Sequence, residues 1–157
     1  MINNSMGKKM TKIASVIFIV GGVASLVYYV TAFLLVMREM VIQGVGEGGI
    51  GVAALVVFSN VVHIAAGIIM YKAGRKGFAA ANVYDDYPII YFWGKLMLVT
   101  VVMLCMLKGV YSTVAKRDAI AYAEFYILLL GLVIIYMYGG KLNSRLSNKG
   151  IEFNKVV

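Results

Sequence analysis

Cysteine is almost missing from this chain. Cys105 is the only one, so no internal disulfide can form and no C-x-x-C pair offers a metal or redox site. Its place inside an apolar run marks it as a small core or lipid-facing residue. His63 is the only histidine, which leaves no H-E-x-x-H pair and no second imidazole for a metal centre. Charged residues make up 14% of the sequence, where a soluble domain carries about a quarter. There is no Ser/His/Asp or Cys/His set, no pair of carboxylates within an apolar run, and no arginine-rich sensor helix. The glycines of Gly44–Gly51 lack both a preceding strand and the Lys-Ser/Thr that a phosphate loop requires. These absences point away from enzyme chemistry and from any bound cofactor or metal.

What fills the chain instead is apolar: 62% of its 157 residues are hydrophobic, and the mean hydropathy is +0.87. One water-surrounded core cannot hide that excess, so lipid has to solvate part of it. Four long runs carry it, at Ile13–Met37, Ile50–Tyr71, Pro88–Leu107 and Ala119–Gly140. Each reaches the ~20 residues that a helix needs to cross ~30 Å of hydrocarbon. Helices are the spanning form, because backbone groups in lipid must be satisfied within their own segment, and the alternating pattern of barrel strands is missing. The expectation is a single all-α domain over 1–157, a four-helix transmembrane bundle with a short basic tail at 141–157. Lys8, Lys9 and Lys12 flank the first run as they would a signal peptide, and Val23-Ala24-Ser25 weakly resembles a cleavage site. The run nevertheless continues uncharged to Met37, too long for a signal segment, and reads as an uncleaved helix.

Direction follows from the basic residues. Lys8, Lys9, Lys12, Lys72, Arg75, Lys76, Lys141, Arg145, Lys149 and Lys155 fall on one side, and Arg38, Lys108, Lys116 and Arg117 on the other. Ten against four places both termini and the middle connection in the cytoplasm. The net charge of +8 is therefore topology, not nucleic-acid binding, since it lies in short segments between apolar runs. Tyr71, Tyr84, Tyr87, Tyr91, Trp93, Tyr136 and Tyr138 fall near the cytoplasmic boundary, where amphipathic rings settle. Pro88 suits the first turn of the third helix, and Asp85 and Asp86 before it favour that helix's positive end.

Polar groups inside the membrane are costly, and each is a functional candidate. On the second helix Ser59, Asn60, His63, Ala66, Gly67 and Met70 share one face, small and polar, as helix contacts in lipid require. Two readings stand beside each other: Asn60 and His63 bond across to a neighbouring helix as glue, or the imidazole titrates or binds a ligand in a bundle cavity. Lys95, ~10 Å inside the bilayer at helical rise, either snorkels back to the headgroups beside Tyr91 and Trp93 or turns inward. At that depth it would share a level with His63 and form an anion pocket. Glu124 lies near the start of the fourth helix, where pairing with Lys108, Lys116 or Arg117, or with the helix N-terminus, is favoured over a proton relay. Gly21 and Ser25 form a small-xxx-small pair for close helix approach.

The stretches Lys12–Leu26, with its I-V-G-G, His63–Lys72, with its A-A-G-I-I-M-Y-K, and Leu129–Asn143 together resemble the small four-helix membrane proteins of Gram-positive, Firmicutes-type bacteria. Tyr136, Gly139 and Asn143 match the end of that group's last helix, where Val133 stands in place of a proline. No activity is attached to the group, so the resemblance implies architecture and not chemistry, and His63 and Lys95 belong to no pattern of it. The reading that results is a multi-pass protein of the cytoplasmic membrane, a non-enzymatic structural, accessory or partner-binding subunit. The alternative is a small transporter or channel subunit with a polar path lined by Ser59, Asn60, His63 and Lys95. Expected partners are membrane lipid and either further copies of the chain or another membrane subunit.

Overall fold

A computed structural model describes residues 2–44, 49–82, 87–115 and 120–154, with side chains at 6–42, 44, 49–82, 87–110 and 125–142. The described residues form four helices: α1 (Ile2–Gln43), α2 (Gly49–Ala80), α3 (Tyr87–Ala115) and α4 (Ile120–Asn154). Each contains a stretch long and apolar enough to cross a membrane, at Met6–Ile42, Gly49–Ala80, Tyr87–Val110 and Phe125–Leu142. The chain is an all-α four-helix bundle with the build of a multi-pass membrane protein.

The helices overrun the apolar runs that mark them in the sequence. The 42 residues of α1 make a rod of ~63 Å, about twice the hydrocarbon thickness. Lys72, Arg75 and Lys76 belong to the last turns of α2, not to a polar connection. The basic tail after Leu142 continues α4 as far as Asn154. An apolar run records the lipid-compatible stretch of the sequence, but backbone hydrogen bonding carries the helix on past it. The connections shrink accordingly to a few residues. Gly44 (φ 74°) and Gly49 (φ 68°) bracket the first of them, both in the left-handed region where a Cβ is strained. Pro88 sits in the first turn of α3; Tyr84, Asp85 and Asp86 lie outside the described residues.

In the bundle α1 packs on α2 and α4, and α3 packs on the same two, with α1 against α2 the most extensive contact. Successive helices run antiparallel, so one end carries both termini and the α2–α3 connection (the terminal end). The other carries the α1–α2 and α3–α4 connections (the far end). Large side chains face outward along all four helices, including Ile13, Val27, Phe58, Phe92, Met106 and Leu128. The interior is built of small and polar residues: Thr11, Ala14, Ser15, Ala66, Ala73, Asn60 and His63, with a few large ones threaded among them. Lipid, not the core, takes most of the apolar surface.

Glycines set the distances between helices. A Cβ on Gly22 would lie 2.7 Å from the Tyr71 amide nitrogen and 2.9 Å from the Gly67 carbonyl, and one on Gly74 would lie 2.6 Å from the Ser15 carbonyl. Here α1 and α2 meet backbone to backbone, as small residues in lipid allow. The residue making the approach is Gly22, one position on from the Gly21/Ser25 pair expected. Gly21 instead meets the methyl end of Met70. The ~100° turn per residue of a helix separates the two glycines onto different faces.

Candidate functional site

The small, polar face expected on α2 is buried: Asn60, His63, Ala66 and Gly67 turn inward, and the face runs on through Ala73, Gly74, Gly77 and Ala80. It divides into two regions of different packing. Toward the terminal end the interior is filled by Phe18, Ile90, Met97, Val101, Val133 and Tyr136, each at most 1% exposed. The Tyr136 hydroxyl reaches from α4 to donate a hydrogen bond to the Ala73 carbonyl at 3.0 Å. Its ring meets Phe18 edge-on, with centroids 5.4 Å apart. A side chain at Gly77 would run into that ring, so the glycine makes the crossing possible. Tyr136 was expected among the boundary aromatics and is instead a core residue. Its neighbour Tyr138 is exposed.

Toward the far end the four helices part around a partly enclosed cavity of about 340 Å³. Tyr28, Tyr29 and Ser25 of α1, His63 and Ala66 of α2, Leu104 of α3, and Phe125 and Tyr126 of α4 are on its wall. His63 is the most polar group there and is 3% exposed. Its Nδ1 lies 2.7 Å from the Ser59 carbonyl oxygen. A carbonyl can only accept, so Nδ1 carries the proton, and in the neutral ring Nε2 is left as an acceptor. The Tyr126 hydroxyl, 3.5 Å from Nε2, is placed to donate to it at the outer limit of hydrogen-bond length. The Tyr29 ring stacks on the imidazole at 4.2 Å with 28° between planes. One helical back-bond, one phenol and one stacking ring thus hold the imidazole from three helices.

The other sequence candidates divide. Ser59 contributes its backbone carbonyl to His63 and is half-buried. Asn60 is buried, and its amide donates to the Val56 carbonyl of its own helix at 2.9 Å; among the described residues it has no hydrogen bond to a neighbouring helix. Lys95 is exposed on the outer surface, with its ammonium 4.4 Å above the Tyr91 ring one turn toward the terminal end. That is the posture of a snorkelling side chain, and it separates Lys95 from the cavity wall. The lysine within electrostatic reach of His63 is Lys108, half-buried on α3. Glu124 lies in α4, but its side chain is outside the described residues, as are Lys116 and Arg117. Among the described residues no three His, Cys, Asp or Glu side chains are grouped as a metal site.

Tyr29 and Tyr126 complete the surroundings of His63, and no sequence signal ties either to it. Each stands beside another aromatic, Tyr28 and Phe125, and only helix rotation brings Tyr29 and Tyr126, not their neighbours, onto the imidazole. Comparison with known protein families, with curated proteins and with solved structures returns no match.

Proposed function

We propose that the chain is a non-enzymatic membrane subunit that binds a small amphipathic ligand in the cavity around His63. One observation carries this reading: about 340 Å³ of space between all four helices, apolar on most of its wall, with an imidazole, three phenols and the Ser25 hydroxyl on the rest. Binding pockets for small molecules begin at about this volume and have the same make-up, a mostly apolar lining with a few placed polar groups. A ligand with an apolar or aromatic body would lie against Ala24, Ala66, Leu104 and Leu129, and its polar group would meet His63 and Tyr126. With the termini in the cytoplasm, as the basic residues favour, the cavity belongs to the outer half of the membrane.

The cavity also suits the second reading, a transport subunit, because it brings open space to His63. Against conduction stand the filled interior of the terminal half and the outward placement of Lys95, which interrupt a polar path across the bundle. The experiment is native mass spectrometry of the full chain released from its source membranes. A bound molecule of a few hundred daltons is expected on the wild type. It should be lost from Ala66→Leu, which fills the cavity, while helix content is kept. A wild type free of adduct, or an adduct that survives the filled variant, sinks the ligand proposal. Solute flux through proteoliposomes that is abolished by His63→Ala favours transport instead.

A further inference from the structure

A second concavity, unrelated to the His63 cavity, lies between α2 and α3 at the terminal end. It encloses about 560 Å³ and is lined by Tyr71, Lys72, Arg75, Lys76, Ala79 and Trp93. The α2 residues recur at i, i+1, i+4, i+5 and i+8, one face of the helix, and Trp93 closes the groove from α3. The three cationic side chains start within about 6 Å of helix rise. The Arg75 guanidinium lies 5.9 Å from the Tyr71 ring centroid, within the outer limit of a cation–π contact. Trp93 is half-buried, while Lys72, Arg75 and Lys76 are exposed.

Three like charges on one helical face repel one another, most directly the i, i+4 pair Lys72 and Lys76. The groove therefore gains from an anion that all three can reach. Its position decides which anion. The aromatic pair Tyr71 and Trp93 marks the membrane–water boundary, and the exposed apolar residue Ile68, one turn before Tyr71, continues the α2 side of the groove toward the bilayer interior. A ligand here meets cations at its head and lipid-solvated surface at its tail. Basic pockets between transmembrane helices are the usual seats of anionic headgroups, and arginine pairs phosphate through two parallel N–H donors.

We propose that the α2–α3 groove is a binding site for a phosphate-bearing headgroup, with Arg75 as the bidentate contact, Lys72 and Lys76 as flanking charges, and Tyr71 and Trp93 as the boundary walls. The phosphate of an anionic phospholipid and free phosphate in solution share this chemistry, and the two sources are separable by experiment. Trp93 is the only tryptophan in the chain, so intrinsic fluorescence reads this groove directly. The full chain in neutral detergent is titrated in parallel with short-chain phosphatidylglycerol, short-chain phosphatidylcholine and inorganic phosphate.

The expected result is a saturable change with phosphatidylglycerol at a concentration at least tenfold below that needed with phosphatidylcholine, the preference shrinking as salt is raised. The triple variant Lys72→Gln, Arg75→Gln, Lys76→Gln abolishes the preference. Arg75→Lys keeps the charge and the fold, and weakens binding several-fold, because a lysine cannot make the forked contact. If inorganic phosphate saturates the signal at the same concentration as phosphatidylglycerol, the ligand is free phosphate and the lipid source is overturned. Asp85 and Asp86 follow in the α2–α3 connection and are a rival source of negative charge. Under the proposal, Asp85→Asn with Asp86→Asn leaves the preference for phosphatidylglycerol in place or strengthens it. Equal response to both lipids in the wild type, or an unchanged preference in the triple variant, overturns the site altogether.

Discussion

Tyr136 shows how a single side chain can link three helices in lipid. Its hydroxyl bonds α2 at the Ala73 carbonyl, its ring packs on Phe18 of α1, and Gly77 supplies the room. The hydrogen bond and the fit are separable by mutation. Tyr136→Phe keeps the ring, and the Ala73 carbonyl keeps its helical partner, so the loss is expected to be about 0.6 kcal/mol, the usual worth of such a bond between membrane helices. Gly77→Ala puts a methyl group into the ring and is expected to cost about 1–3 kcal/mol, as overpacking does. Tyr136→Leu should relieve that cost, giving a coupling of about 0.5–3 kcal/mol between the sites. Reversible unfolding in mixed micelles, followed by circular dichroism, measures all of these. A silent Gly77→Ala would mean that the helices stand further apart than described. Tyr136 was misplaced by sequence because a tyrosine near the end of an apolar run suits a boundary and a core equally well. Only the glycine opposite it, on another helix, decides between them.

At the level of the helices, glycine has opposite effects at different positions. At Gly22 the atoms in the way are backbone atoms of Tyr71 and Gly67, which have no rotamer to escape into, so Gly22→Ala must push α1 off α2. At Gly131 nothing lies within 4 Å of a built Cβ, and alanine there only gains helix propensity. The same substitution is thus expected to destabilise by about 1–3 kcal/mol at Gly22 and to be neutral or stabilising by up to about 1 kcal/mol at Gly131. The same unfolding measurement checks the difference, and equal effects at both positions would refute the α1–α2 crossing. The existence of each helix was legible, because hydropathy over ~20 residues is a direct reading of the solvent. The inward face of α2 was legible too, since small and polar residues at helical spacing are costly toward lipid. Helix rotation was not: Gly21 and Gly22 differ only in which way they point. Nor were the helix ends, because Lys72–Ala80 has nothing that stops a helix once lipid ends.

Across the whole molecule, the bundle is filled at the terminal end and open at the far end, so its orientation determines which side of the membrane meets the cavity and which meets the basic groove. The basic residues favour cytoplasmic termini by ten against four, and extending the helices past the apolar runs moves none of those charges to the opposite side. Fusions after Gly44 and after Arg117 are therefore expected to give alkaline phosphatase activity, and fusions after Asn82 and Val157 to give green fluorescence. The orientation bears on the lipid site because Lys72, Arg75 and Lys76 contribute to both. Neutralising all three leaves seven basic residues against four, still a cytoplasmic majority, so the triple glutamine variant should keep the wild-type fusion pattern while losing its anionic lipid. A variant that inverts its fusions would show that the groove cations chiefly set topology. Cytoplasmic signal after Arg117 in the wild type would reverse the assignment of α3 and α4 and place the His63 cavity on the other side of the membrane.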